Sequence, residues 1–182
     1  MFKFLKRFRG RKLGLDYQLK HGLAERGRTM GGSVINVTTK TVAKHIRNGE
    51  VIGEREVLNK KVTTAFVNFI VAQLQTETSA FGDFKYHDSG TGTNAENASD
   101  TALQTPCGEA RTVGTQVEGA QTYEYKSIAT HTYAGSFAIT EHGLFNAASG
   151  VTLMDRTVFS AINVVASDKI EFTFTIQFSA EA

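Results

Sequence analysis

The ten residues Lys169-Ile-Glu-Phe-Thr-Phe-Thr-Ile-Gln-Phe178 constrain the fold more than any other stretch. Ile170, Phe172, Phe174, Ile176 and Phe178 occupy every second position, and Glu171, Thr173, Thr175 and Gln177 lie between them. Side chains alternate faces along a strand, so one face of this run is wholly apolar and the other wholly polar. That is the pattern of a half-buried strand in an antiparallel sheet. Burying a large apolar side chain is worth roughly 1.5–3 kcal/mol, so this one face offers on the order of 10 kcal/mol of gross burial. A second layer has to cover it, and the chain reads as a β-sandwich closing over its last strand.

Composition agrees. Thirteen Phe, no Trp and many Thr and Val suit strands. Pro106 is the single proline against 17 glycines, so the turns are glycine turns. Cys107 is the single cysteine, which rules out an intramolecular disulfide and points to folding in a reducing cytoplasm. A chain of 182 residues suits one well-cored domain with an extension. The net charge of +2 is unevenly spread: residues 1–32 hold nine Lys or Arg against Asp16 and Glu25, hence +7, which leaves −5 for the rest. The expected organisation is a basic N-terminal arm, 1–32, on a mildly acidic sandwich domain, 33–182.

The arm opens Met-Phe-Lys-Phe-Leu-Lys-Arg-Phe-Arg-Gly-Arg-Lys. Its cations lack the apolar run of a secretory signal, and nothing downstream approaches a membrane-spanning length. In a short helix Phe2, Leu5 and Phe8 would share one face, with Lys3, Lys6 and Arg7 towards the other. Such a segment can lie on an anionic membrane, bind nucleic acid or dock in an acidic groove, and the bland alternative is a solvated tail. The interleaved Phe and Leu favour docking. Phe2, Lys3, Leu5, Lys6, Arg7, Phe8, Arg9, Arg11 and Lys12 are the expected docking residues, and Gly31-Gly32 the hinge.

Beyond the hinge, Val34–Val37 and Thr41-Val42 read as a first strand, Asn48-Gly49 as a hairpin turn and Glu50–Leu58 as the returning strand, weakened by Gly53. Lys61–Gln75 reads as the one helix, capped by Thr63 or Thr64, with Phe66, Phe69, Ile70 and Leu74 on its apolar side. The rival reading is a strand through Val67–Ala72. From Phe84 a strand becomes a loop of small residues ending near Leu103. Gly90-Thr-Gly-Thr93 invites a phosphate-loop reading, but no lysine follows before Leu103. Asp88, Asn94, Glu96, Asn97 and Asp100 could gather around calcium, yet the EF-hand spacing is absent. Arg111–Val117, Thr122–Ala129, Ser136–Thr140, Val151–Met154 and Thr157–Val165 read as further strands.

Chemistry finds little to work with. Cys107 and the five histidines, His21, His45, His87, His131 and His142, match no nucleophile or metal-ligand spacing. Cys107 reads as a small hydrophobe, His142 as a turn or inter-strand hydrogen-bonding residue, and Asp155-Arg156 as a local ion pair or subunit contact. No catalytic residue, metal, cofactor or small-molecule substrate is expected.

The phrases Tyr86-His-Asp-Ser-Gly-Thr-Gly-Thr93, Ser99-Asp-Thr-Ala-Leu103, Ile139-Thr-Glu-His-Gly-Leu-Phe-Asn-Ala-Ala148 and Leu153-Met-Asp-Arg-Thr-Val-Phe159, followed by the alternating end strand, resemble a family of tailed-bacteriophage virion proteins. The resemblance covers a little over half of the chain and leaves out the arm. It implies a structural part of the virion, assembled in the host cytoplasm. The expected fold is an antiparallel β-sandwich of jelly-roll type with one short helix. The expected function is a capsid-decorating (cement) protein on the capsid surface that clamps neighbouring major capsid proteins. The expected self-association is a homotrimer, because closed symmetry protects strand edges. A tail or tail-fibre component contacting the host surface is the alternative. A nucleic-acid binder using the arm is a third class, weakened because Tyr123 and Tyr125 are the one close aromatic pair on a strand.

Overall fold

The computed structural model describes residues 35–74, 81–150 and 152–180. The chain divides after residue 34, so the arm lies outside what is described. Among the described residues the body has ten antiparallel strands, one α-helix and a short 3-10 turn at Phe81–Asp83. In chain order they are β1 (Ile35–Arg47), β2 (Glu50–Leu58), β3 (Lys61–Val62), α1 (Thr64–Leu74), β4 (Tyr86–Gly90), β5 (Thr112–Val113), β6 (Thr115–Glu118), β7 (Glu124–Thr132), β8 (Phe137–Phe145), β9 (Leu153–Val164) and β10 (Lys169–Ala180). They form two five-stranded sheets, β2-β1-β10-β7-β6 and β3-β9-β8-β4-β5. The expected all-β sandwich with one short helix is what forms.

The last strand sits where its alternation requires. β10 is central in the first sheet, flanked by β1 and β7, and Ile170, Phe172, Phe174 and Ile176 are buried. Phe172 packs with Ile139, Phe159 and Tyr133, while Phe174 and Ile176 pack with Leu144, Phe66 and Phe84. Phe178 is half-buried at the end of the row. The outward Thr face carries cross-strand ion pairs, Lys44–Glu171 at 3.2 Å and Lys40–Glu56 at 2.7 Å.

The β1–β2 turn is Asn48-Gly49, with φ of 53° and 84°, the left-handed pair that a two-residue hairpin demands. Gly53 does weaken β2: the register slips beside it, leaving Ile52 as the extra residue of a bulge.

Several boundaries differ from expectation. The helix starts later, because Lys61-Val62 pairs with Arg156 and Asp155 as β3. Thr63 then caps α1, its Oγ1 accepting from Phe66 N at 3.2 Å while donating to the Leu153 carbonyl. Arg111–Val117 is not one strand. It breaks at Gly114, where the chain leaves one sheet (β5) for the other (β6). A Cβ there would meet Ser127 Oγ at 2.7 Å and His87 Nε2 at 2.8 Å, so only glycine lets the backbone cross. Ser136–Thr140 and the phrase after it form one strand, β8, carried past an irregularity in which Thr140 alone lies opposite Phe159–Ala161 of β9. The two segments read between Val151 and Val165 likewise merge into β9.

Candidate functional site

The strand β8 is buried along both faces, because the second sheet has a layer on each side. On the inner side it meets the first sheet. On the outer side it is covered by the loop 91–111, and adjacent residues of β8 organise the two sides.

Glu141 points outward and is fully buried beneath the loop. Its Oε1 accepts from Thr105 N at 2.8 Å and Gly92 N at 3.1 Å, and its Oε2 from Gln104 N at 3.1 Å and Arg156 Nε at 2.7 Å. Arg156, also fully buried, donates to Asp100 Oδ2 at 3.1 Å and to the Asn94 carbonyl at 3.2 Å. One ion pair thus gathers both ends and the middle of the loop. Further pins are Thr140 Oγ1 to the Gly92 carbonyl at 2.8 Å, Val158 N to Glu96 at 2.7 Å, and Lys60 to Glu96 at 3.1 Å. Below this node Leu103, Phe145 and Leu153 form a small outer core with Tyr86 against it. The Arg111 guanidinium lies 3.4 Å from the Phe145 ring centre, bonds Asp88 and donates to the carbonyls of Ala147 and Gly150.

This geometry answers two readings of the loop. The amide at Gly92 that could have cradled a phosphate already receives Glu141, and a Cβ on Gly90 would come within 2.6 Å of that carboxylate. The acids considered for calcium are engaged by cations instead: Asp88 by Arg111, Glu96 by Lys60, Asp100 by Arg156. Among the described residues no group of three or more His, Cys, Asp or Glu is arranged to hold a metal. Asp155 and Arg156 do not pair with each other. They are neighbours on a strand and point to opposite faces, Arg156 into the outer node and Asp155 into the sandwich, where it accepts from Thr157 Oγ1 at 2.7 Å. Burial pushes the Asp155 carboxyl up to about 7.

On the inner side, His142 is buried in mid-strand, not in a turn. Its Nε2 lies 2.9 Å from His87 Nδ1 on β4, and His87 Nε2 lies 2.8 Å from Ser127 Oγ on β7. His142 also stacks on Phe172 at 4.5 Å between ring centres. Its Nδ1 has no partner among the described residues, so the proton belongs on Nε2, donated to His87, which in turn donates from Nε2 to Ser127. Burial, with nearby His131, pulls His87 down to about 3, and burial with His87 and His131 pulls His142 well below its ordinary range. Both rings are neutral at pH 7. The series Ser127–His87–His142 lines up the residue types of a nucleophile relay, but with His87 donating to Ser127 it cannot take the serine proton, and all three side chains are fully buried. Cys107 is half-buried, its Sγ 3.5 Å from Ser89 Oγ, packed against the core as a small hydrophobe.

At one end of the sandwich an apolar cavity of about 220 Å³ is lined by Phe66, Tyr125, Met154, Ile176 and Phe178. Beside it α1 turns Phe66 inward and leaves Val67 52%, Val71 53% and Leu74 79% exposed. Leu74 was expected on the apolar inner side and lies outside it. No helix among the described residues is long and apolar enough to cross a membrane. The expected docking residues, Phe2 to Lys12, lie outside the described residues.

Comparison with protein-family models, with curated proteins and with solved structures finds no match for this chain. The Glu141–Arg156 node was missed from the sequence. Its one signal was charge inside two strand phrases with apolar ends, Glu141 in Ile139–Phe145 and Asp155-Arg156 in Leu153–Phe159.

Proposed function

We propose that this protein is a non-enzymatic structural part of a virion, a capsid-decorating protein that bridges neighbouring major capsid subunits. The observation that carries the reading is where the four resembling phrases meet. The first supplies Gly92, the second Asp100, the third Glu141 and the fourth Arg156, and these residues are joined in one buried node. Phrases shared by chance have no reason to converge. What the node holds in place is a surface of small polar residues, Thr93, Asn94, Asn97, Ser99 and Thr101, on a rigid backing. A pinned loop loses little entropy on binding, which suits a contact repeated over a capsid. The apolar stripe Val67, Val71, Leu74 supports self-association into a trimer, and the basic arm supplies the reach between subunits.

Counting copies on purified particles that carry this chain tests the reading. A count in the hundreds agrees with decoration, whereas a handful assigns the protein to the tail. A chain lacking residues 2–30 should keep the melting temperature of the body and lose attachment to undecorated heads. Retained attachment would remove the arm from the docking role.

A further inference from the structure

The two sheets are not closed along the side where β2 and β9 meet. β3 pairs with β9 only at Asp155 and Arg156, so the rest of that edge, up to Val164, has no strand neighbour among the described residues. On the opposite bank β2 is the edge strand of its own sheet and carries the bulge at Ile52. Between the banks runs a groove of about 320 Å³, lined by Arg47, Ile52, Gly53, Arg55, Ala161 and Asn163 among others.

The two arginines in this groove are in different states. Arg47 is already neutralised, with Nε and Nη2 on the Asp168 carboxylate at 2.9 and 2.7 Å, and Asp168 also holds His45 at 2.8 Å. Arg55 has no carboxylate. Its Nη1 donates to the Glu54 carbonyl, its Nη2 makes a long 3.5 Å contact with the Ala161 carbonyl on the open edge of β9, and its Nε is buried without a partner. Its Nη groups reach only backbone carbonyls, so its charge has no counter-ion among the described residues, and a carboxylate set against them would supply one. Ile52, half exposed at the rim, adds an apolar contact.

We propose that this groove takes an extended, otherwise uncharged segment of a partner protein that carries a single carboxylate, seated on Arg55, with the backbone laid along the open edge of β9. Strand edges recognise extended peptides through main-chain hydrogen bonds, and side-chain pockets supply the selectivity. Charge decides between peptide and nucleic acid. Arg55 is one cation on a body of −5, and Glu50, Glu54 and Glu56 are exposed along the same strand. A polyphosphate would bring several charges against that acidic bank, while a single carboxylate meets only the guanidinium. The inference stands on the body alone and does not depend on the virion reading.

The test is a titration of the isotope-labelled full-length protein, read by backbone amide shifts. The probes are a short capped Val-rich peptide with one central Asp (the Val-Asp peptide), its counterpart with Asn at that position (the Val-Asn peptide), inorganic phosphate and oligothymidine. The Val-Asp peptide should shift the amides of Gly53, Ala161 and Asn163. The Val-Asn peptide and phosphate should bind about tenfold more weakly or worse, as loss of a charge-assisted bond implies. Arg55→Gln should weaken the Val-Asp peptide by a similar factor, and Arg55→Lys by less. Ile52→Glu, at an exposed rim position, should weaken it without touching the core, which keeps the test decisive if Arg55→Gln folds poorly. Absence of these shifts, or equal binding by Arg55→Gln and Ile52→Glu, overturns the proposal. Phosphate binding as tightly as the peptide would make this a small-anion site, and tighter binding of oligothymidine would make it a nucleic-acid contact; either result overturns it too.

Discussion

Glu141 and His142 are neighbours on one strand, both fully buried, and they satisfy burial in opposite ways. Outward, the Glu141 carboxyl is met by Arg156 and three backbone amides. Inward, His142 gives up its charge and bonds another neutral ring. The difference follows from what each face can offer. A loop brings N–H groups free of sheet pairing, and those can solvate an anion. The inner face of a sandwich brings side chains alone, mostly apolar, and there a neutral pair costs less than an ion. The outer charge therefore organises a loop, and the inner pair fills a core.

The sharpest way to break the comparison is on the outer side. Arg156→Met leaves the buried Glu141 and the half-buried Asp100 without their cation and should cost about 3–5 kcal/mol. Hydrogen exchange at Gly92, Gln104 and Thr105 should accelerate with it. Adding Glu141→Gln should recover part of the loss, because the uncompensated charge is gone. If Arg156→Met alone is within about 1 kcal/mol of the parent, the node does not hold the loop. On the inner side, Phe174→Ala removes a buried ring from the row beneath β8 and should also cost about 3–5 kcal/mol, here as a cavity. Its mark should be global: every protected amide loses protection together, with no excess at the loop.

Acid separates the two faces next. His87 titrates near 3 in the folded chain against an ordinary 6.5. Above pH 6.5 the ring is neutral folded or unfolded and contributes nothing to the pH dependence. Below it the unfolded chain takes up a proton that the native state refuses, so stability falls from about pH 6.5 down to about pH 3. At 1.36 kcal/mol per unit the loss is on the order of 5 kcal/mol, with His142 adding in the same direction. Asp155 works the other way. Its pKa is raised to about 7, so the native state keeps a proton that the unfolded chain loses as pH rises from about 4 to 7, and stability falls with rising pH across that window. Asp155→Asn should therefore melt higher than the parent at pH 8 and lose the advantage towards pH 4. A pH-independent difference between the two would show that folding leaves the Asp155 pKa unshifted. Chemical unfolding measured at intervals from pH 3 to 8 resolves both arms.

How far the sequence reveals this depends on the range of the interactions. The alternation from Ile170 to Phe178 needs nothing beyond its own residues, and the hairpin at Asn48-Gly49 needs two, so both are legible. Thr63 caps its helix across three positions and was legible too. The loop was not, because what fixes Gly92 and Asp100 are Glu141, 49 positions from Gly92, and Arg156, 56 from Asp100. Seen locally, Gly90-Thr-Gly-Thr93 offers free amides and looks ready for a phosphate. Its ligand is a carboxylate of the same chain. The break at Gly114 was hidden for a similar reason: the crowding that demands glycine comes from His87 and Ser127, each on a different strand.

The smallest expected effect is the one that asks whether the outer layer is separable from the core. Glu96 pins the middle of the loop by accepting from Val158 N and pairing with Lys60. Burial pushes its carboxyl up, but the Val158 amide and Lys60 together hold it below the usual range, so it is charged and engaged at pH 7. Glu96→Gln keeps an acceptor for Val158 and removes only the charge. The Lys60 partnership it breaks is half-exposed, and such pairs contribute about 0–1 kcal/mol. Global stability should move by no more than that. Locally the change should be plain: exchange at Val158 and at Thr64, whose amide bonds the Ala98 carbonyl at 2.7 Å, should quicken while amides of β10 and β7 keep their protection. If protection falls equally everywhere, the loop and the sandwich unfold as one unit, and the outer layer is part of the core and not a platform laid on it.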